Sequence, residues 1–303
     1  MDFELTILGS ASATPMLGRH HTAQALSVGR QLYLVDCGEG TQERLIEQRI
    51  RFLRLSCIFI SHLHGDHFFG LFGLLGTMHL QGRTEPLHLF GPAGLDEVLT
   101  TQLRCSGTPL SFDLVFTCVD TTQHRLIHDD HQVQVYTLPM RHRIPCCGYL
   151  FREKPRRRRL LKELLPAGLT PEQLQALTRG EDLRDEAGHV WLRQLEVTEA
   201  PPAPRSYAYC SDTVYTESLA ELVRGVDLLY HECTFLHEML ERAVQTGHST
   251  ARQAGQLAQR AAVRQLLIGH FSSRYRDLQP LLDEAQREFA DTRLALEGLR
   301  VEL

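Results

Sequence analysis

A mixed α/β fold is expected for this 303-residue chain from three features. Short apolar runs of strand length alternate with segments of helical spacing along most of it. Two of these runs, Cys57-Ile58-Phe59-Ile60-Ser61-His62 and Gln265-Leu266-Leu267-Ile268-Gly269-His270, end alike in a small residue and a histidine. Chance among many strand ends would explain that echo, and so would two similar β-rich halves whose strand ends meet over one cleft. The composition also changes between about Arg152 and Pro204, as in a segment inserted into a continuous core. At ~150 residues per domain, the length allows two domains or one large α/β unit with an insertion. The change in composition favours a single domain over 1–303 with an arm at about 152–204.

Leu5–Leu8, Ala25–Val28 and Gln31–Val35 are strand-like, the last two joined by the turn Gly29-Arg30. A helix from about Thr41 to Gln48 follows Asp36-Cys37-Gly38-Glu39-Gly40. Ser56–Ile60 is an apolar run suited to a strand covered on both faces, and it ends abruptly at Ser61-His62. Phe68–Leu80 then reads as a helix. Strands are expected at Leu87–Phe90, Asp113–Val119 and Gln132–Leu138, with a helix at Leu95–Leu103. The arm opens with Lys154-Pro155-Arg156-Arg157-Arg158-Arg159, contains the helix-like Pro171–Leu177 and closes with Ala200-Pro201-Pro202-Ala203-Pro204. Strand-like sequence resumes at Ser206–Cys210. A helix (Thr216–Arg224), a strand (Leu228–Tyr230), a long helix (Ala251–Ala262) and a strand (Gln265–Ile268) complete the core.

With 43% apolar and 23% charged residues, the chain is neither disordered nor fibrous. A net charge of −5 excludes a uniformly basic surface but not a local basic patch that binds nucleic acid. The start, MDFELTILGS, lacks the basic region of a secretory signal. The most apolar segment, Phe68 to Met78, falls well short of the ~20 residues that span a bilayer, so no membrane association is expected. Eight cysteines without a CxxC pair read as buried free thiols in a reducing, cytoplasmic setting.

The chemistry is concentrated in Ser61-His62-Leu63-His64-Gly65-Asp66-His67. Three histidines and an aspartate directly after a buried strand would pack poorly in a core, since each imidazole needs its own partners. Alternate side chains of an extended strand end point the same way, so His62 and His64 can grip one ion. Gly65 lets the backbone turn and aims Asp66 and His67 at a second ion. Nitrogen and carboxylate donors without thiolate suit Zn2+ or Mn2+.

His62-Leu63-His64-Gly65-Asp66-His67 matches the HxHxDH signature of the metallo-β-lactamase superfamily. Further segments resemble the ribonuclease Z family of tRNA 3′-processing endonucleases in order and nearly throughout: Gly9-Ser10-Ala11-Ser12-Ala13-Thr14-Pro15, Asp36 to Gln42, Ser211-Asp212-Thr213, His231-Glu232-Cys233-Thr234, Gly247-His248-Ser249-Thr250, and His270 to Tyr275. The resemblance implies a four-layer αβ/βα sandwich with two zinc ions between the sheets. It implies His62, His64 and His142 as ligands of one ion, Asp66, His67 and His270 as ligands of the other, and Asp212 as the bridge. Taken alone, His142 between two arginines reads as a surface residue, Asp212 as a helix cap and His270 as a strand end. Two departures stand out: Ser211 replaces a usual glycine, and Cys233 replaces alanine in a site where packing is expected. The polar turn His128-Asp129-Asp130-His131 matches no motif and reads as a solvated loop.

By the same resemblance, Asp66 accepts the proton of the attacking water. His248, oriented by Glu232, protonates the departing 3′-oxygen. The cut would leave a 3′-hydroxyl on the tRNA and a 5′-phosphate on the trailer. Between Arg141 and Arg159 eight basic residues oppose Glu153 alone. Arg156, Arg157, Arg158 and Arg159 are therefore expected to grip phosphates of precursor tRNA, as the family's arm does, although this arm lacks the common glycine-rich form. A homodimer is implied as well. Two rivals differ in class: another hydrolase of the superfamily acting on small esters, and a nonenzymatic RNA-binding protein.

Overall fold

The computed structural model describes residues 3–303. Among these, the chain runs through β1 (Phe3–Gly9), β2 (Ala23–Val28), β3 (Gln31–Cys37), α1 (Thr41–Glu47), β4 (Leu55–Phe59), α2 (Gly65–Phe68), α3 (Gly70–Leu80), β5 (Leu87–Gly91), α4 (Leu95–Cys105) and β6 (Leu114–Cys118). Next come β7 (Leu126–Asp129), β8 (Val133–Pro139) and β9 (Cys147–Glu153). The arm holds β10 (Arg159–Leu160), α5 (Pro171–Arg179), β11 (Leu183–Arg184), β12 (Val190–Leu192), α6 (Gln194–Val197) and β13 (Thr198–Glu199). The core resumes with β14 (Ser206–Cys210), α7 (Ser218–Leu222), β15 (Leu228–Glu232), α8 (Leu240–Thr246), α9 (Ala251–Ala261), β16 (Gln265–Gly269), α10 (Gln279–Glu288), β17 (Thr292–Leu294) and β18 (Arg300–Glu302).

The core strands form two seven-stranded sheets, ordered β18-β1-β2-β3-β4-β5-β6 and β17-β16-β15-β14-β9-β8-β7. β3 to β6 run parallel in the first sheet, and β14 to β17 run parallel in the second. Three apolar clusters account for the layers. Phe3, Tyr33 and Phe59 of the first sheet meet Tyr149, Phe151 and Tyr209 of the second between the sheets. Leu71, Leu75 and Leu99 of α3 and α4 cover the outer face of the first sheet. Leu219, Leu257 and Leu281 of α7, α9 and α10 cover the second. The inner strands, such as β3 and β4, therefore bury both faces, which is why Ser56–Ile60 reads as continuously apolar.

Several expected elements differ in extent. The helix expected at Phe68 begins at Gly65 and is broken at Phe69 into α2 and α3. A Cβ on Gly70 would stand 2.1 Å from the Gly38 carbonyl oxygen, so the loop after β3 lies directly on this break. The central strand β9 has no counterpart in the sequence reading. Its apolar core, Gly148 to Phe151, is short and runs straight into the charged arm. The turn at His128–His131 is not fully solvated: His128 and Asp130 are half-buried. Asp130 accepts from the Tyr33 hydroxyl (2.5 Å), from His128 (3.1 Å) and from the Gln132 and Val133 amides.

Contacts divide the chain into a unit of 1–152 with 205–303 and a unit of 153–204. The smaller unit has its own apolar cluster of Leu177, Leu183, Leu192 and Val197. Thr170 and Gln173 form a capping box that starts α5.

Candidate metal centre

The candidate residues sit at the C-terminal ends of the parallel strands, where loops are free to converge. His62 and His64 follow β4, Asp66 and His67 lie on α2, and His142 is in the loop between β8 and β9. Asp212 follows β14, and His270 follows β16. The strand ends of both sheets thus deliver side chains to one point.

Two sets of donor atoms form there. In the first, His64 Nδ1 is 3.0 Å from His62 Nε2 and 3.2 Å from His142 Nε2. Asp212 Oδ2 stands 3.6 Å from His62 Nε2 and 3.8 Å from His142 Nε2. In the second, His67 Nε2 and His270 Nε2 are 3.2 Å apart. Asp66 Oδ2 lies 3.5 and 3.3 Å from them, and Asp212 Oδ1 3.5 and 3.3 Å. Four tetrahedral ligands at the ~2.0–2.2 Å typical of Zn2+ stand about 3.3–3.6 Å apart, so both sets fit a divalent ion. Asp212 offers one oxygen to each set, and its buried Oδ1 has no hydrogen-bond partner among the described residues. Three convergent imidazole nitrogens cannot all be satisfied by protons between them. A cation satisfies all of them at once.

Protonation of the first set fits the same reading, whereas in the second burial pulls His67 down but the Asp212, Asp66 and Asp36 carboxylates outweigh it and raise it well above its usual range. Burial, then the neighbouring His67, holds the His62 imidazole well below its usual range. Burial, then His142, lowers His64, and burial lowers His142 despite Asp212. Neutral imidazoles are the form that binds metal.

The outer nitrogens of four of these histidines are held in turn. His142 Nδ1–H donates to the Gly247 carbonyl (2.7 Å) and His67 Nδ1–H to Asp36 Oδ2 (2.7 Å). His62 Nδ1 meets Ser61 Oγ at 3.0 Å and His270 Nδ1 meets Thr234 Oγ1 at 2.9 Å. Asp36 is fully buried and also accepts from the Ser61 amide, the Ser61 hydroxyl and the Tyr209 hydroxyl. Asp36 and His270 both hold left-handed backbone angles, φ 55° and 61°. Such strain, ~1–3 kcal/mol each, persists only where the surroundings over-determine the geometry. The motif from Asp36 to Gln42 gives Asp36 no role by itself; its hydrogen bond to His67 assigns one.

Glu232 is the second buried hub. Its oxygens accept from the Thr213, Thr234 and Ser249 amides, the Thr234 hydroxyl and His248 Nδ1–H (3.0 Å). Burial pulls the His248 imidazole down, but the Glu232 and Asp212 carboxylates outweigh it and raise it to about 9. His248 lines a cleft of about 770 Å³ together with His64, Asp66, Asp212 and His270. Arg143, Arg242 and Arg274 stand on its walls. Arg242 lies outside every motif, so nothing in the sequence marked it.

The sequence departures are absorbed by packing. The Ser211 hydroxyl donates to Ser61 Oγ (2.9 Å), extending the Asp36 network. Cys233 is fully buried in the apolar cluster under the second sheet. Six of the eight cysteines are buried free thiols, and Cys105 and Cys118 are exposed.

In the arm, Arg156 pairs with Glu153 and Arg159 with Glu199, while Arg158 donates to Thr198 Oγ1 (2.6 Å). Arg157 is exposed and its side chain has no such partner among the described residues.

A family model described as anti-Pycsar protein Apyc1 matches residues 3–156, which include His62–His67 and His142 but not Asp212, His248 or His270. A ribonuclease Z of Cytophaga hutchinsonii is 49% identical over 298 residues, 98% of this chain and 95% of that protein. The chain belongs to the ribonuclease Z family. A crystal structure of human tRNase Z, short form, agrees with this ribonuclease Z architecture: TM-score 0.71, 26% identity, and 98% of each chain covered. The metallo-β-lactamase fold protein YhfI from Bacillus subtilis has the same fold, with a TM-score of 0.69 over the full length of both chains at 18% identity. The ribonuclease Z family and the His/Asp cluster together mark a divalent metal site.

Proposed function

We propose that this protein is a zinc-dependent endoribonuclease that removes the 3′ trailer from precursor tRNA, leaving a 3′-hydroxyl on the tRNA and a 5′-phosphate on the trailer. The observation that carries this reading is the pair of donor sets sharing Asp212 in a member of the ribonuclease Z family. His62, His64 and His142 would hold one ion, Asp66, His67 and His270 the other, and Asp212 both. Two Zn2+ per chain suit these donors, and Mn2+ is the alternative. When bound, the pair supplies Lewis acidity that activates a water at neutral pH and neutralises the scissile phosphate.

The chain's own residues do the rest. Asp66, on the cleft wall, accepts the proton of the attacking water. His248 delivers a proton to the departing 3′-oxygen. Glu232 fixes the His248 ring through Nδ1, which leaves Nε2 to serve the substrate. Arg143, Arg242 and Arg274 position the RNA phosphates along the cleft. In the arm, Arg157 is the freest phosphate contact, and Arg156, Arg158 and Arg159 combine that role with shaping the arm.

Two copies are expected to assemble. Ile46 on α1 and Leu80 on α3 are exposed apolar side chains on two helices joined by the Gln42–Thr77 hydrogen bond, and pairing would cover them. No helix among the described residues is long and apolar enough to cross a membrane. The buried free thiols support a reducing cytoplasmic setting.

Incubating metal-loaded protein with a 3′-extended precursor tRNA, and mapping both new ends, tests the reading. A single cut after the acceptor stem with the stated end groups is expected. A cut leaving a 5′-hydroxyl on the trailer, or no cut, would overturn it.

A further inference from the structure

The base of the first sheet carries a basic recess that this reaction does not use. The turn Gly29-Arg30, the chain after α1 and the approach to β4 enclose about 270 Å³, lined by Arg30, Arg49, Arg51, Arg54 and Arg300. Among the described residues no carboxylate lines it. Arg54 donates to the Arg30 carbonyl (3.1 Å), and Arg300 donates to the Gln48 carbonyl (2.8 Å) with Glu4 3.8 Å away. The guanidinium groups of Arg30, Arg49 and Arg51 have no partner among the described residues. Five exposed like charges gathered in a chain of net charge −5 set up a local positive field that favours an anion among them.

Arg49 is an independent sign. It holds φ 57° just beyond the C-cap of α1, the position where glycine is favoured. A side chain strains the backbone there, and this one adds its charge to the recess. The recess is remote from the metal centre. Gln31 lines it, whereas Asp36, five residues along the same strand, holds His67. At ~3.3 Å per residue the separation is roughly 17 Å.

The geometry points to a binding site for an anion bearing two or more phosphate groups. One phosphate accepts about two guanidinium forks, so five arginines match a more highly charged ligand. The phosphates belong either to a free polyphosphate or to an RNA backbone, and the test separates the two. The site does not depend on the reaction assigned above.

Inorganic pyrophosphate titrated calorimetrically into the full-length, metal-loaded protein, and precursor tRNA binding measured at several salt concentrations, are compared between the wild type and Arg49→Gly. Glycine relaxes the left-handed backbone, so this variant should keep its Tm and weaker binding would not reflect unfolding. Arg51→Ser/Arg54→Ser serves as a second variant. Pyrophosphate attracted to the metals is common to all three proteins and cancels in the difference. Loss of one charge-assisted contact is expected to weaken the true ligand ~10-fold or more. Weaker pyrophosphate binding with unchanged tRNA binding identifies a free polyphosphate. Weaker tRNA binding with a flatter salt dependence identifies RNA. Equal affinities of all three proteins for both ligands would overturn the site.

Discussion

Asp36 and Glu232 illustrate how a buried carboxylate can govern chemistry that it never touches. Asp36 holds His67 and Ser61, and Glu232 holds His248 directly and His270 through Thr234. Replacing Asp36 by Asn keeps the shape but exchanges an acceptor for a donor facing His67 Nδ1–H. Metal affinity is expected to fall ~10–100-fold, as for other residues that orient a ligand histidine. Competition with a chelator measures it, and an unchanged affinity would free His67 from Asp36. His64→Ala should lose bound metal outright, and two ions retained at full occupancy would remove His64 from the donor set. For Asp66→Ala, cleavage should fall by at least ~10²–10⁴-fold, the scale of a positioned base, with precursor binding weakened far less. Equal losses with metals intact would contradict its role.

Elements explain where the residues end up. The β7–β8 turn presents Asp130 inward to Tyr33. Burial raises the Asp130 carboxyl, but donors from His128, Tyr33, Val133 and Gln132 outweigh it and hold it well below the usual carboxylate range. A depressed folded-state pKa stabilises the fold above the ordinary aspartate value of about 4, and that contribution fades as pH falls towards the folded value. Asp130→Asn is therefore expected to lose ~1 kcal/mol at pH 7, a Tm decrease of roughly 1.5 °C. The gap to wild type should narrow as pH falls below ~4. Melts at pH 7 and in acid decide it, since a constant gap would leave the carboxylate without this role. Helices with strong apolar spacing, such as Ala251–Ala261, were readable from sequence nearly to the residue. β9 was not, because a short apolar strand entering a charged arm lacks a pattern of its own. The α10 helix (Gln279–Glu288) escaped because its apolar positions are few and only packing on α9 completes them.

At the scale of the whole molecule, the sandwich brings together histidines more than two hundred positions apart: His67 and His270 meet at 3.2 Å. The arm is compact enough to hold its own apolar cluster, and three of the four arginines in the run Arg156–Arg159 hydrogen-bond within it. Replacing all four by serine would thus mix contact loss with unfolding of the arm. Arg157→Ser isolates the contact. It should raise the KM for precursor tRNA and lower the salt slope by under ~1 unit, with small phosphodiester hydrolysis intact. An unchanged KM would return Arg157 to the solvated surface. Sedimentation at micromolar concentration should show a dimer that Ile46→Glu/Leu80→Glu dissociates, and a wild-type monomer would rule out pairing through α1 and α3.

His62, His64, Asp66 and His67 lie within six positions, so local backbone geometry alone brought them together and the chain order sufficed to read a metal site. His142, Asp212 and His270 carry no such local signal. They are ligand candidates by their likeness to family motifs, and become neighbours only where two sheets close face to face. Neighbouring strands of the first sheet pair Asp36 with Ser61, but Ser211 and Tyr209 join that network only through the closure. Those two partners come from the other sheet, and a hydrogen bond at 2.5–2.9 Å is a property of relative placement that no local pattern encodes. The arginine recess is of the same kind. Its members are scattered from Arg30 to Arg300, and they form one charged surface only because the turns and chain segments at one end of the first sheet converge with β18.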